Sequence, residues 1–157
     1  MVRPGITLYG CYPSEKTQKE DRLKLRPVLE LKSRVAAVKT LLPGDSLSYH
    51  RIYKAEKKEK IAVIPLGYSD GYPNNVINKA FVLIKEKRFP LIAAITANHS
   101  IALLGEDSDV SAGDEVVFLG SQGKERITAD ELASWAGASN YKILISINPL
   151  LPRVVRG

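Results

Sequence analysis

The chain has 157 residues, of which 45% are hydrophobic and 25% charged, a composition typical of a folded globular protein. A chain of this length buries about 68–70% of the surface that it exposes when unfolded, enough for one domain with a real core. Its single cysteine excludes an internal disulfide and favours a reducing, cytoplasmic compartment. The two histidines and the cysteine are widely spaced and give no metal-ligand pattern.

Hydropathy and charge indicate whether the chain could span a membrane or bind nucleic acid. The longest uncharged run, residues 90–105, is too short and too polar to span a membrane, which takes about 20 mostly apolar residues. The first residues contain no apolar signal-peptide core. The net charge of +6 is compatible with nucleic-acid binding. However, residues 54–60 interleave lysines with glutamates between two strand-like runs, which favours a solvated hairpin loop.

Taken in chain order, the patterns predict a mainly β protein. Residues 1–10 suggest a strand running into a glycine turn, residues 11–25 a polar linker, and residues 28–41 a long strand with one wet face. Short apolar runs follow, separated by polar and glycine-containing connections, at 47–53, 61–66, 81–84, 89–95, 101–104 and 116–119. This spacing predicts a small antiparallel β-barrel or sandwich.

One or two short helices complete the predicted fold. Thr128 and Glu131 form the pattern of a capping box, in which each side chain bonds the other residue's backbone N–H, and Gly137 is placed to end that helix. Residues 140–147 fit a second helix or a buried strand, between which periodicity does not decide. Val154 and Val155 suggest a closing strand.

Two motifs place a tyrosine directly after an apolar run: Ser-Tyr-His at 48–50 and Gly-Tyr-Ser-Asp-Gly-Tyr at 67–72. Together with Val-Arg-Pro-Gly-Ile-Thr-Leu-Tyr-Gly at 2–10, they closely resemble the C-terminal part of bacterial alanine racemase. The resemblance covers nearly the whole chain but only about the last third of the family's length. In the family, a barrel domain that binds pyridoxal phosphate (PLP) precedes this part. The resemblance therefore implies that residues 1–10 are a remnant of that barrel, residues 11–25 a linker and residues 26–157 a C-terminal β domain.

The resemblance also implies a chemistry. Racemising an amino acid means removing the Cα proton from one face and returning it to the other, which PLP makes feasible by withdrawing electrons. Two proton-transfer groups then suffice. In the family one is a lysine of the barrel, and the other is the tyrosine matched by Tyr49, which enters the partner subunit's site in a homodimer. A free phenol ionises near pH 10, so neighbouring groups must favour the phenolate. Without the resemblance, Tyr49 would be interpreted as an amphipathic strand tyrosine.

Further site residues follow from the same resemblance. Arg3 matches the arginine that bonds the cofactor's pyridine nitrogen, and Gly5 and Ile6 match backbone N–H groups that hold its phosphate. Tyr141 matches a tyrosine that reaches the same phosphate. Without the resemblance, Arg3 would be interpreted as a surface arginine and Tyr141 as an aromatic residue of the core. Two substrate-binding residues are also implied, Tyr68 at the substrate passage and Ala97, whose N–H would meet the substrate carboxylate.

Three departures from the family pattern bear on activity. His50 stands where the family has a glycine, Thr-Ala-Asn-His at 96–99 replaces Cys-Met-Asp-Gln, and Leu150 stands where arginine is common. The changes leave open which amino acid is the substrate. His99 is either a new acid–base group or a hydrogen-bonded loop residue.

The sequence therefore predicts the C-terminal domain of a PLP-dependent alanine or amino-acid racemase, which supplies D-alanine for the cell wall. The chain would be inactive without the N-terminal barrel. A non-catalytic binding or regulatory module with the same fold is the first alternative, and a basic nucleic-acid-binding barrel is the second.

Overall fold

The computed structural model describes residues 1–155 and is dominated by one curled antiparallel sheet. Its strands are β1 Leu31–Arg34, β2 Ala37–Leu41, β3 Ser46–Leu47, β4 Tyr53–Lys54, β5 Glu59–Ile64, β6 Phe81–Ile84, β7 Lys87–Ile92, β8 Ser100–Gly105, β9 Glu115–Gln122 and β10 Glu125–Ile127. The α-helices are α1 Glu15–Glu20, α2 Ala129–Ala136 and α3 Asn140–Ser146. Short 3₁₀ helices lie at Gly5–Tyr9, Tyr49–Arg51, Tyr68–Asp70 and Asn74–Val76. The prediction of a mainly β fold with short helices is confirmed.

The sheet order explains why the sheet curls. The strands lie in the order β1-β9-β6-β7-β8-β5-β2, with β10 also paired to β9. β1 and β2 are at opposite ends of this order, yet only Val35 and Ala36 separate them in the chain. The Val35 N–H donates to Asp114 O, and the Ala36 N–H donates to Val63 O, both at 2.9 Å. Because the chain passes between the two ends at this point, the sheet closes toward a half-barrel.

The long strand expected at 28–41 is therefore two strands. Its first part pairs with β9 and its second part with β5, since the strand that closes a curled sheet changes partner where it crosses the gap. Sequence alternation gave the extended conformation but carried no information about this exchange of partners.

Two apolar clusters cover the two faces of the sheet near β5. The main core combines inward-facing strand residues such as Ala62, Ile64 and Phe118 with Leu132 of α2 and Leu144 of α3. On the opposite face, a smaller cluster packs under β3 and β4, and its buried members are Leu41, Ala55, Ile61 and Ile92. β5 is thus buried on both faces, and the β3–β4 hairpin lies over the outer one.

The two C-terminal helices are fixed by their caps. The Thr128 Oγ1 accepts the Glu131 N–H at 3.0 Å, and Gly137, with φ +61°, ends α2. The predicted return bond from Glu131 is not made, because its carboxylate pairs with Arg88 of β7 at 2.6 Å. Ser139 caps the next segment, which resolves residues 140–147 as a helix that ends at Ser146.

The N-terminal segment differs from the sequence prediction. Residues 5–9 form a 3₁₀ helix instead of a strand, because the chain enters it from Pro4 with φ −68° and no sheet edge lies beside it. The expected linker at 11–25 contains α1, and the Asn140 Nδ2 donates to Tyr12 O at 3.0 Å, which ties this segment to α3.

Two further expectations concern the rest of the chain. Val154 and Val155 are exposed and form no strand, and Arg156 and Gly157, the end of the predicted domain at 26–157, lie outside the described residues. Within residues 1–155, no helix has the length and apolar character needed to cross a membrane. In the same part of the chain, no group of three or more His, Cys, Asp or Glu side chains is arranged to hold a metal ion.

Candidate functional site

Tyr49 lies at the tip of a short hairpin that projects from the sheet. It was expected at the end of a strand, but it begins the 3₁₀ turn Tyr49–Arg51 between β3 and β4, which are two residues long each. The side chain is 79% exposed. Among the described residues its hydroxyl makes no hydrogen bond, so the phenol is not occupied within its own domain.

The backbone around Tyr49 is held in unusual conformations. Ser48 has φ +66° and ψ 172°, a region that is essentially restricted to glycine. His50 has φ +61° and ψ 14°, and Arg51 has φ +53°. Left-handed backbone is unfavourable for residues with a Cβ. This left-handed conformation explains why the family has a glycine at the position of His50. His50 adopts the conformation although its Cβ makes it unfavourable.

The base of this hairpin is closed by backbone hydrogen bonds. The Ala55 N–H donates to Asp45 O at 2.9 Å, and the Gly44 N–H donates to Ala55 O at 2.8 Å. The Asp45 carboxylate accepts the Leu42 N–H at 2.8 Å. These bonds fix where the hairpin leaves β2, whereas the tip itself has no pairing beyond β3 and β4.

A buried carboxylate lies beneath the returning arm of the hairpin. Glu59 is only 4% exposed, and its Oε1 accepts the Tyr53 hydroxyl at 2.5 Å. Burial, and next the bond to Glu59, raise the pKa of Tyr53 to about 12. The prediction of a solvated loop at 54–60 is therefore wrong for Ala55 and Glu59, which are buried because the hairpin folds over the outer face of β5.

The remainder of the charged run behaves as predicted. Lys54, Lys57 and Lys58 are exposed. Lys58 faces Glu106 at 3.6 Å, and the Lys60 Nζ donates to Ser108 O at 2.9 Å. Lys58 and Lys60 thus have acidic or carbonyl partners, which differs from the continuous cationic face expected of a nucleic-acid-binding surface.

The second tyrosine motif is brought against the second loop that the sequence singled out. The Tyr68 N–H donates to Thr96 O at 3.0 Å, and the Ser69 N–H donates to Ala97 O at 2.9 Å. A Cβ on Gly67 would lie 2.2 Å from Thr96 O, so glycine is needed for this close approach. Tyr68 is 52% exposed. The predicted substrate residues Tyr68 and Ala97 are thus neighbours on one surface.

The loop at 96–99 is a tight turn closed by Thr96. Its N–H donates to His99 O at 2.9 Å, and its Oγ1 accepts the His99 N–H at 3.1 Å. The bonds of His99 are therefore made by its backbone, while its side chain is exposed. In residues 1–155 no acceptor takes the Ala97 N–H, which leaves this donor available to a ligand.

The motif at 67–72 is anchored on its other side by the end of α3. The Asn148 N–H donates to Asp70 O, and the Asn148 Nδ2 donates to Ser69 O, both at 3.0 Å. Tyr72 lies under the loop, and its ring packs edge-on against Phe118 with 4.9 Å between the two ring centres. Its hydroxyl is buried and has no partner among the described residues, and burial raises the pKa of this phenol.

The predicted cofactor residues meet at the start of the chain. Gly5 and Ile6 open the 3₁₀ helix Gly5–Tyr9, so their N–H groups have no acceptor inside it. A Cβ on Gly5 would lie 3.5 Å from the Tyr141 hydroxyl. Ile6 is 3% exposed, and its side chain belongs to the main core. Arg3 is exposed and forms no ion pair or hydrogen bond within the described chain.

Five of the seven predicted site residues thus fall into two groups, to which Arg3 and Tyr49 do not belong. Gly5, Ile6 and Tyr141 lie at the start of α3, and the Tyr68–Ala97 surface is tied to its end through Asn148. No hydrogen bond or ring contact among the described residues joins Tyr49 to either group. The residues that sequence reasoning missed are Tyr53, at the end of the apolar run 47–53, and Glu59, within the mixed charge run 54–60. Leu150 is 88% exposed and makes no contact that explains its replacement of arginine.

Comparison with solved structures identifies the class as the β domain of amino-acid racemases. Alanine racemase from Streptomyces coelicolor A3(2) matches with a TM-score of 0.88 and 33% identity, covering 98% of this chain and 40% of that chain. Histidine racemase from Leuconostoc mesenteroides subsp. sake matches with a TM-score of 0.82 and 26% identity, covering 96% of this chain and 40% of that chain.

The chain belongs to the alanine racemase C-terminal domain family. The family model described as "Alanine racemase, C-terminal domain" matches residues 28–155. Alanine racemase of Carboxydothermus hydrogenoformans is 42% identical over 154 residues, which are 98% of this chain and 42% of that protein. Alanine racemase 1 of Clostridium acetobutylicum is 38% identical over 153 residues, 98% of this chain and 39% of that protein. The chain spans about 40% of the length of the curated relatives it matches.

Proposed function

We propose that this chain is the C-terminal domain of a PLP-dependent amino-acid racemase, with alanine as the first candidate substrate. Its role is to supply Tyr49 to the active site of a partner subunit in a homodimer. The observation that carries this proposal is the exposure of Tyr49, which is 79% exposed on a hairpin whose strands pair with no other strand of the described chain. A phenol in this position is free to serve a site outside its own domain.

The residues at the start of the chain fit the phosphate end of PLP. Two adjacent N–H groups without helical acceptors, a glycine without a Cβ and a nearby tyrosine hydroxyl are a suitable donor set for an anion. We therefore assign Gly5, Ile6 and Tyr141 to the phosphate and Arg3 to the pyridine nitrogen. PLP supplies the electron withdrawal that makes the Cα proton of the substrate acidic. An arginine stays charged and donates, so it keeps that nitrogen unprotonated.

The Tyr68–Ala97 surface is assigned to the substrate. The unpaired Ala97 N–H is a donor for a carboxylate oxygen, and the half-exposed Tyr68 ring lies beside it. Thr96 closes the turn that orients this donor. Asn98, where the family has an aspartate, adds no charge beside this donor.

The hydroxyl oxygen of Tyr49 holds or accepts the proton exchanged at the substrate Cα on one face. The second proton-transfer group and most of the phosphate site belong to an N-terminal barrel. Within the domain division, residues 1–10 are the end of that barrel, 11–25 the connection and 26–157 the β domain. The start of the family match at residue 28 supports the last boundary. We propose that this chain alone does not racemise amino acids.

A chimaera tests the function. This chain replaces the matching C-terminal residues of the Carboxydothermus hydrogenoformans alanine racemase, and interconversion of L- and D-alanine is measured with the chimaera and with the chain alone. We expect activity only in the chimaera. Replacing Tyr49 by Phe should lower kcat by a factor of about 10² to 10⁴, the usual contribution of a proton-transfer group.

The matched control is Tyr9→Phe, which removes another exposed phenol that carries no side-chain hydrogen bond within residues 1–155. It should leave kcat near that of the unsubstituted chimaera. Equal activity of the Tyr49→Phe chimaera would instead favour the non-catalytic binding or regulatory module.

A further inference from the structure

The hairpin that carries Tyr49 is weakly supported by its own strands. β3 and β4 pair only through Ser46 with Lys54 and Leu47 with Tyr53, and neither pairs with another strand in the described chain. Two-stranded hairpins are marginal in water on their own. The turn also contains Ser48, His50 and Arg51 at positive φ, which is unfavourable for residues with a Cβ and further destabilises the hairpin.

One side-chain hydrogen bond connects this hairpin to the rigid sheet. Of residues 46–54 in the described structure, Tyr53 is the one whose side chain hydrogen-bonds a strand outside the hairpin, at 2.5 Å from its hydroxyl to Glu59 Oε1. Glu59 is the first residue of β5, where it pairs with Leu41 of β2. The backbone of Glu59 is therefore held in place by its position in β5 and by its pairing with β2.

The environment makes this hydrogen bond strong and costly to lose. Glu59 is 4% exposed, so water cannot easily replace the Tyr53 hydroxyl as its partner. Hydrogen bonds that end on a carboxylate are short and stronger than those between neutral groups. The ring of Tyr53 packs on the outer cluster around Ile61, which directs its hydroxyl to Glu59.

We propose that Tyr53 and Glu59 are positioning residues for Tyr49. Their hydrogen bond holds the returning arm of the hairpin against the start of β5, and so fixes the place from which the Tyr49 phenol leaves the domain. Tyr53 follows Tyr49 by four residues, on the other side of the turn. The catalytic consequence rests on the function proposed above, whereas the effect on the hairpin does not.

Residue-resolved amide hydrogen exchange of this chain tests the positioning role. The probes are the Gly44 and Ala55 amides, which close the hairpin, compared with amides of the β5–β8 ladder. In Tyr53→Phe the hairpin amides should exchange about tenfold faster or more, as expected for a lost bond to a buried charged group. The ladder amides should change much less.

The matched control is Tyr12→Phe, because the Tyr12 hydroxyl also hydrogen-bonds a carboxylate, that of Asp21, but far from the hairpin along the chain. It should leave the Gly44 and Ala55 amides unchanged. Unaltered exchange of these amides in Tyr53→Phe would overturn the proposal. Equal acceleration of the hairpin and the β5–β8 ladder would overturn it as well, since Tyr53 would then act only on global stability.

The chimaera described above gives the catalytic readout. Tyr53→Phe should lower kcat about tenfold or more with KM unchanged, since a small displacement of a reacting group costs up to about a hundredfold in rate. A rise in KM at constant kcat would contradict positioning of Tyr49. If the unsubstituted chimaera is inactive, the proposed function fails, while hydrogen exchange still decides the role of Tyr53.

Discussion

At the scale of single residues, His50 shows how a departure from a family pattern acquires a physical meaning. The sequence indicated only that a glycine is replaced. The structure places His50 at φ +61°, where a Cβ is unfavourable and glycine is not. The departure is thus a conformational penalty next to Tyr49.

Replacing His50 by glycine should therefore stabilise the protein. Relief of the left-handed conformation contributes about 1–2 kcal/mol, and the greater entropy of glycine in the unfolded chain removes about 0.4–1 kcal/mol of that. We expect the free energy of unfolding, measured by urea denaturation, to rise by up to about 1.5 kcal/mol.

His99→Gly is the control for this prediction. His99 is also an exposed loop histidine, but its φ is not positive, so glycine brings only the entropic loss and should lower stability slightly. Equal destabilisation by the two substitutions would contradict the account of the turn.

Residues also mark the limit of what the sequence could reveal about the site. Tyr49, Tyr68 and Ala97 were predicted as site residues because the segments around them resemble those of a known family. Glu59 was missed because its neighbours are lysines and glutamates, which indicate solvent. Its burial depends on β3 and β4 folding over the outer face of the sheet, a contact that no local pattern specifies.

At the scale of elements, the β3–β4 hairpin links stability to pH. Burial and the bond to Glu59 raise the pKa of Tyr53 to about 12, whereas a free tyrosine ionises near pH 10. The folded protein therefore holds this proton more tightly than the unfolded chain does. The resulting stabilisation is complete below about pH 10 and is lost as the pH rises toward 12.

Urea denaturation of the wild type and Tyr53→Phe across this range checks the linkage. The wild type should be the more stable at pH 8 to 9, and its advantage should shrink steadily between about pH 10 and 12. Phenylalanine cannot ionise, so a difference that stays constant over the range would show that the Tyr53 proton does not contribute.

Elements also show which parts of the fold were predictable. The short apolar run at 101–104 predicted a strand, and the structure has β8 there, with Ser100, Ala102 and Leu104 buried. The cap at Thr128 located α2 correctly. The partner exchange between β1 and β2 was not predictable, because it follows from closure of the sheet and not from any residue at Val35 or Ala36.

At the scale of the whole molecule, the domain presents two kinds of surface. The start of α3 and the loop at 67–72 gather the proposed cofactor and substrate residues on one set of elements. Tyr49 lies on the β3–β4 hairpin, whose Leu47 and Tyr53 pack on the outer cluster. In the function proposed above, Tyr49 serves the partner's active site, whereas Arg3, Gly5, Ile6 and Tyr141 serve the site of their own chain.

Subunit complementation in the chimaera is the most direct test of this arrangement. One subunit carries Tyr49→Phe, and the other lacks the PLP-binding lysine of its barrel, so each homodimer should be inactive. If Tyr49 acts in the partner's site, random mixing of the two should restore about a quarter of the unsubstituted activity, from one complete site in each mixed dimer. If mixing restores no activity although mixed dimers form, Tyr49 does not serve the partner subunit and the central claim is wrong.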